Sequence, residues 1–75
     1  MNAYQKELEN RVIKGNNVFI ADTARVLGSV ELRDEVSIWF GAVIRADFDS
    51  VFVDERTNIQ EGVYMHVDQG CPIRV

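Results

Sequence analysis

IADTARVLGSVELRDEVSIWFGAVIRADF, residues 20–48, carries aliphatic residues at Ile20, Val26, Leu32, Ile38 and Ile44, spaced by six without a miss. A second series runs through Ala24, Val30, Val36, Ala42 and Phe48, mostly small or β-branched. Within each six-residue unit two residues, two apart, point the same way, as they do on a strand. An α-helix needs a period of 3.6, which six matches poorly. Between the paired positions stand Leu27-Gly28-Ser29, Arg33-Asp34-Glu35 and Arg45-Ala46-Asp47, which read as corners. The spacing therefore predicts an all-β solenoid of short parallel strands and tight corners, with three six-residue units closing each round. An ordinary sandwich with accidental spacing is the competing reading.

Downstream the register slips. It resumes at Val53, Ile59 and Met65, with Thr57 and Val63 in the companion series. The step from Ile44 to Val53 is nine rather than six, so three extra residues bulge out within 47–52. A second loop is expected at 68–72, since Ile73 and Val75 fall off phase. Neighbours on adjacent rounds are thus three units apart before the bulge, and three units plus the three extra residues apart across it. That arithmetic puts Arg45 beside His66, and Trp39 beside Gln60. Residues 1–17 precede the repeat and read as an N-terminal strap or a short amphipathic turn of helix. The whole chain, 1–75, reads as one partial solenoid domain of about three rounds, incomplete at its C-terminal end.

Composition narrows the classes of function. The chain has 47% hydrophobic and 27% charged residues and a formal net charge of −4. That sign argues against unaided binding to nucleic acid or to an anionic membrane surface. The single cysteine, Cys71, cannot form an internal disulfide and fits a reducing compartment. The N-terminal stretch lacks the apolar run of a signal peptide, so the expected location is cytoplasmic. Cys71 also lacks a second histidine to activate it, and reads as a loop residue.

Within 37–51, SIWFGAVIRADFDSV, and 56–68, RTNIQEGVYMHVD, the chain resembles the γ-class carbonic anhydrase family. The resemblance runs from about Asn17 to Val75. It implies a left-handed β-helix, a homotrimer with zinc held across subunit interfaces, and reversible hydration of carbon dioxide to bicarbonate. By that resemblance His66 corresponds to a zinc-binding histidine. Gln60 corresponds to the glutamine that hydrogen-bonds the zinc-bound water. Arg45 and Asp47 correspond to a pair linking neighbouring subunits, and Asn58 belongs to the same TNIQ stretch. Phe48 stands where the prototype has a glutamate used in proton transfer.

His66 is the only histidine. A catalytic zinc site takes three protein ligands and one water. The chain by itself is therefore expected to be a truncated, inactive part of such an enzyme. The alternatives are a non-enzymatic, trimerising interaction module, or a fragment of a hexapeptide-repeat acyltransferase. An unpaired final round is expected to drive self-association. Trp39 and Phe40, at a corner, would lie either beneath the N-terminal strap or in a subunit interface.

Overall fold

The computed structural model describes residues 3–67, 70 and 72–75, with Phe48 as backbone only. A helix, α1 (Ala3–Asn10), is followed by eight strands. These are β1 (Ile13–Lys14), β2 (Phe19–Ile20), β3 (Arg25–Leu32), β4 (Ser37–Ile38), β5 (Val43–Val53), β6 (Asn58–Ile59), β7 (Tyr64–His66) and β8 (Ile73–Arg74). Every strand pairing among the described residues is parallel. One sheet has the order β1-β3-β5-β7, with β8 also on β5, and a second has β2-β4-β6.

The registers carry the period directly. Ile13 pairs Glu31, Phe19 pairs Ser37 and Arg25 pairs Val43, each a round of three six-residue units further on. Ser37 then pairs Asn58 and Val43 pairs Tyr64, each a round plus three extra residues further on. The difference arises in β5, where residues 47–50 stand against the single Ser29 of β3. The backbone repeats with the same step. Asn17, Glu35 and Arg56 all have φ between 57° and 59°, so one corner is turned in the left-handed conformation round after round. The fold is mostly parallel strands in curled sheets with one helix, consistent with a parallel β-helix-like architecture around an apolar core.

That core is filled by the two sequence series. Val26, Leu32, Ile38, Ile44, Val53 and Ile59 are buried, as are Ala24, Val30, Val36 and Ala42. Ile20, Thr57, Val63 and Met65 are half-buried. Ile20 lies on the first rung of its sheet, and Met65 and Val63 lie in the last round, where one side has no neighbouring strand among the described residues. The Phe48 side chain, Asp68, Gln69 and Cys71 lie outside the described residues.

Two of the three expected corners are different in kind. β3 runs unbroken through Leu27-Gly28-Ser29 and β5 through Arg45-Ala46-Asp47, with Leu27 and Ala46 buried. Pairing between β3 and β5 continues on both sides of these positions, with a register shift between Gly28 and Val30. Position 28 requires a glycine. Its φ is +96°, and a β-carbon there would drive into the carbonyl group of Ala46 on the neighbouring strand. Only Arg33-Asp34-Glu35 is a turn between strands.

α1 covers the side of β3, where it buries Leu8 to 4% exposure. It leaves Trp39 and Phe40 at 37% and 48% exposure, so the strap does not bury them. They form an open aromatic group with Phe19, whose ring lies 5.1 Å from that of Trp39.

Gly28→Ala combines a forbidden φ with a backbone collision, so it should lower the thermal midpoint far more than alanine at exposed Gly62. Ile44→Ala empties a fully buried site and should cost about 2–5 kcal/mol in urea unfolding. Ile38→Asp buries an unpaired carboxylate and should abolish the circular-dichroism signature of the folded chain.

Candidate functional site

Parallel pairing of β5 and β7 sets Arg45 directly against His66. Asp47 follows Arg45 by two residues, so the strand's alternation returns it to the same side. It also opens the bulge, because regular pairing with β3 ends at Ala46. The result is a carboxylate whose side chain is only 5% exposed, between a guanidinium and an imidazole.

The contacts are unequal. Arg45 Nη2 donates to Asp47 Oδ2 at 3.0 Å. His66 Nε2 lies 3.4 Å from Asp47 Oδ1. That oxygen is buried and accepts no well-formed hydrogen bond, although the imidazole nitrogen stands at its edge. Such an oxygen carries an uncompensated desolvation cost.

The charges reflect this arrangement. Burial pushes the Asp47 carboxyl upward. The hydrogen bond from Arg45, a backbone hydrogen bond and the Arg45 charge outweigh burial, holding the carboxyl below its ordinary value. The Arg45 guanidinium is stabilised as the cation chiefly by its hydrogen bond to Asp47, and the nearby Tyr64 phenol adds to this. Tyr64 precedes His66 by two residues on β7 and lies on the same outward side, with the rings 6.4 Å apart. The motifs read from the sequence do not single out Tyr64. Its signal is the same two-residue alternation that joins Arg45 to Asp47.

Asn58 and Gln60 are placed elsewhere. Asn58 sits on β6 in the second sheet, where its side-chain oxygen accepts from Ser37 Oγ on β4. Ser37 Oγ in turn accepts from Trp39 Nε1 at 2.9 Å, so the three side chains form a polar ladder beneath the aromatic group. Gln60 follows β6 and is exposed. The backbone NH of Trp39 donates to Ile59 O, which continues the register and brings Gln60 beside Trp39. The Gln60 carbonyl accepts from Val63 N and closes the corner leading to β7. The structure thus unites Arg45, Asp47 and His66, and leaves Asn58 and Gln60 on the adjoining sheet.

A metal ion needs more than the described residues offer. Among the described residues no group of three or more His, Cys, Asp or Glu side chains is arranged to hold one. Asp47 is committed to Arg45 through one oxygen, and one imidazole is too few donors for a zinc site. No helix among the described residues is long and apolar enough to cross a membrane.

No family model matches the chain. Individual curated proteins do. Protein YrdA of Escherichia coli is 47% identical over 53 residues, 71% of this chain and 29% of that protein. Gamma carbonic anhydrase 2, mitochondrial, of Arabidopsis thaliana is 41% identical over 51 residues, 68% of this chain and 18% of that protein. A probable carbonic anhydrase of Methanocaldococcus jannaschii is 39% identical over 56 residues, 75% of this chain and 35% of that protein. The chain spans about a third or less of the length of these relatives. With most of its length matched at such identity, the chain belongs to the γ-carbonic-anhydrase-like family.

Proposed function

We propose that this chain forms one side of a zinc site in a γ-carbonic-anhydrase-like protein whose coils wind left-handed. His66 is the ligand it contributes, and the remaining ligands come from beyond the chain. The complete site hydrates carbon dioxide to bicarbonate, with zinc supplying a hydroxide near neutral pH. The observation that carries this reading is the buried Asp47 carboxylate between Arg45 and His66. A histidine that binds metal is commonly held through its other nitrogen by a carboxylate, which fixes the ring and raises its basicity. Asp47 has the burial and position for that task, and Arg45 keeps it ionised.

Arg45 and Asp47 have a second role in this proposal, at a contact between subunits of a homotrimer. Gln60 would orient the hydroxide, since a neutral amide can do so without competing for its proton. Asn58 supports the Gln60 corner through the Ser37 and Trp39 ladder. The names of the relatives support the activity. The exposed Phe19, Trp39 and Phe40 group favours a second reading, a non-enzymatic module that self-associates through this face.

Metal analysis separates the two. The purified chain should hold no stoichiometric zinc and hydrate carbon dioxide no faster than buffer. Joined to the remaining coils of a relative, it should bind zinc, and His66→Ala should remove that zinc. One tight zinc per short chain, lost on His66→Ala, would refute the proposed division of ligands.

The Asp47 pair also has a pH signature. Its folded carboxyl titrates below its unfolded value, so the stabilisation is complete above the unfolded pKa of about 4. It is lost as pH falls through the lower folded value. Asp47→Asn should therefore shrink the stability difference between pH 6 and pH 2 measured by urea unfolding. An unchanged acid limb would show that the pair is not stabilising.

A further inference from the structure

Parallel pairing lays Ile13 of β1, Glu31 of β3, Phe52 of β5 and Arg74 of β8 in one row across the sheet. Their neighbours Val30, Leu32, Val51 and Val53 are buried, so Glu31 and Phe52 face outward. Ser29 and Ser50 precede Glu31 and Phe52 by two residues, and strand alternation returns them to the same side. Arg11 precedes Ile13 by two. A groove of about 310 Å³ lies here, at the small end of the range for ligand sites. Ile13, Val51 and Phe52 line it with apolar surface, and Arg11, Ser29 and Ser50 with hydrogen-bonding groups. It adjoins the β5 bulge, where residues 47–50 stand against Ser29 alone.

The polar groups around it favour one sign of ligand. Glu31 also lines the groove, but Arg33 already pairs with it at 3.2 Å. Arg11 gives only Nη2 to Glu7, and a guanidinium has five N–H donors. Arg74 lies over the Phe52 ring, 4.4 Å from its centroid. Among the described residues no carboxylate stands within ion-pair distance of Arg74. Its stacking on Phe52 holds that guanidinium beside the groove before a ligand arrives, which lowers the cost of ordering it.

We infer that this groove binds a small aromatic carboxylate. A planar ring lies against Ile13, Val51 and the edge of Phe52, where apolar contact and ring–ring contact both contribute. The carboxylate accepts from the guanidinium groups of Arg11 and Arg74, whose forked donors match its two oxygens. The hydroxyls of Ser29 and Ser50 supply further donors. A cationic ligand would meet the same two guanidinium groups and find Glu31 engaged. The groove shares no residue with the Arg45, Asp47 and His66 cluster, so the inference stands apart from the zinc proposal.

Equilibrium dialysis of the intact chain against 2-naphthoate tests it. Binding should saturate with a dissociation constant of about 1 mM or below, the affinity that a ligand of this size reaches at ordinary efficiency. Arg11→Ala and Arg74→Ala should each weaken it several-fold. Ser50→Leu, which fills the groove from an exposed position, should abolish it. 2-Naphthamide, the same rings without the charge, should bind several-fold more weakly. Phe40→Ala, in the exposed aromatic group beside the other sheet, should leave naphthoate binding unchanged. Thermal midpoints should match the native chain in the Arg11, Ser50 and Arg74 variants, because these residues are exposed. Absence of saturable binding, equal binding of the amide, or loss with Phe40→Ala alone would each overturn the inference. So would weakening confined to variants whose midpoint falls, with Ser50→Leu binding normally.

Discussion

The structure depends on one constraint, the parallel stacking of equivalent rungs at a fixed step. Each rung takes its hydrogen bonds from the equivalent rung of the next round, so among the described residues no strand is paired within its own round. Strands of two residues, such as β2, β4 and β6, would be negligible alone. They persist because each adds an equivalent corner and an equivalent inward side chain to a column already in place. Stability in such an array is close to a sum of rungs and nearest-neighbour interfaces. The cost falls on the ends, where Ile20, Val63 and Met65 are only half-buried.

The same constraint explains why the cluster forms where it does. A bulge in a parallel stack has to be absorbed locally, because the rungs on either side must stay in step. β5 resolves the mismatch by placing residues 47–50 against Ser29 alone, then resuming at Val51. Asp47 is the first residue released from regular pairing. It leaves the ladder without leaving the shelter of its neighbours, which is how a carboxylate on an outward strand position comes to be almost wholly covered. Bulges of this kind commonly re-aim a side chain beside a functional site.

Much of this was legible in the chain of letters, and for a definite reason. Inward positions recur because the stack demands it, so the six-residue series picks out Leu32, Ile38, Ile44 and Val53 directly. The break between Ile44 and Val53 locates the bulge, and the resulting step sets Arg45 against His66. What was not legible was local. Leu27-Gly28-Ser29 looks like a turn because glycine punctuates it, yet β3 runs on through it as a continuous strand. A count of residues cannot distinguish a stretch that continues a strand from one that ends it. Tyr64 escapes such a reading because an outward tyrosine has no periodic signature of its own. Asn58 and Gln60 are close to His66 in sequence, but the corner at Gly62 carries the chain from one sheet to the other between them.

Asp47 poses the sharpest energetic question, because a covered carboxylate rarely stabilises a fold on balance. Its bond to Arg45 offsets the loss of hydration at Oδ2, but Arg45 is itself partly in water, which weakens the pair. At Oδ1 the compensation is incomplete. An apolar residue of similar size would satisfy the packing at lower cost, as replacements of buried ion pairs often do. The remaining core obeys the opposite logic, with no buried polar residue among those described. Asp47 is the charged side chain that departs from this rule, at 5% exposure. It does so beside the only imidazole in the chain, with an oxygen held open toward it. Departures of that kind concentrate where a fold gives up stability for chemistry. The physical case for a site at this edge of the solenoid therefore stands on Asp47, and the histidine gains its meaning from the carboxylate beside it.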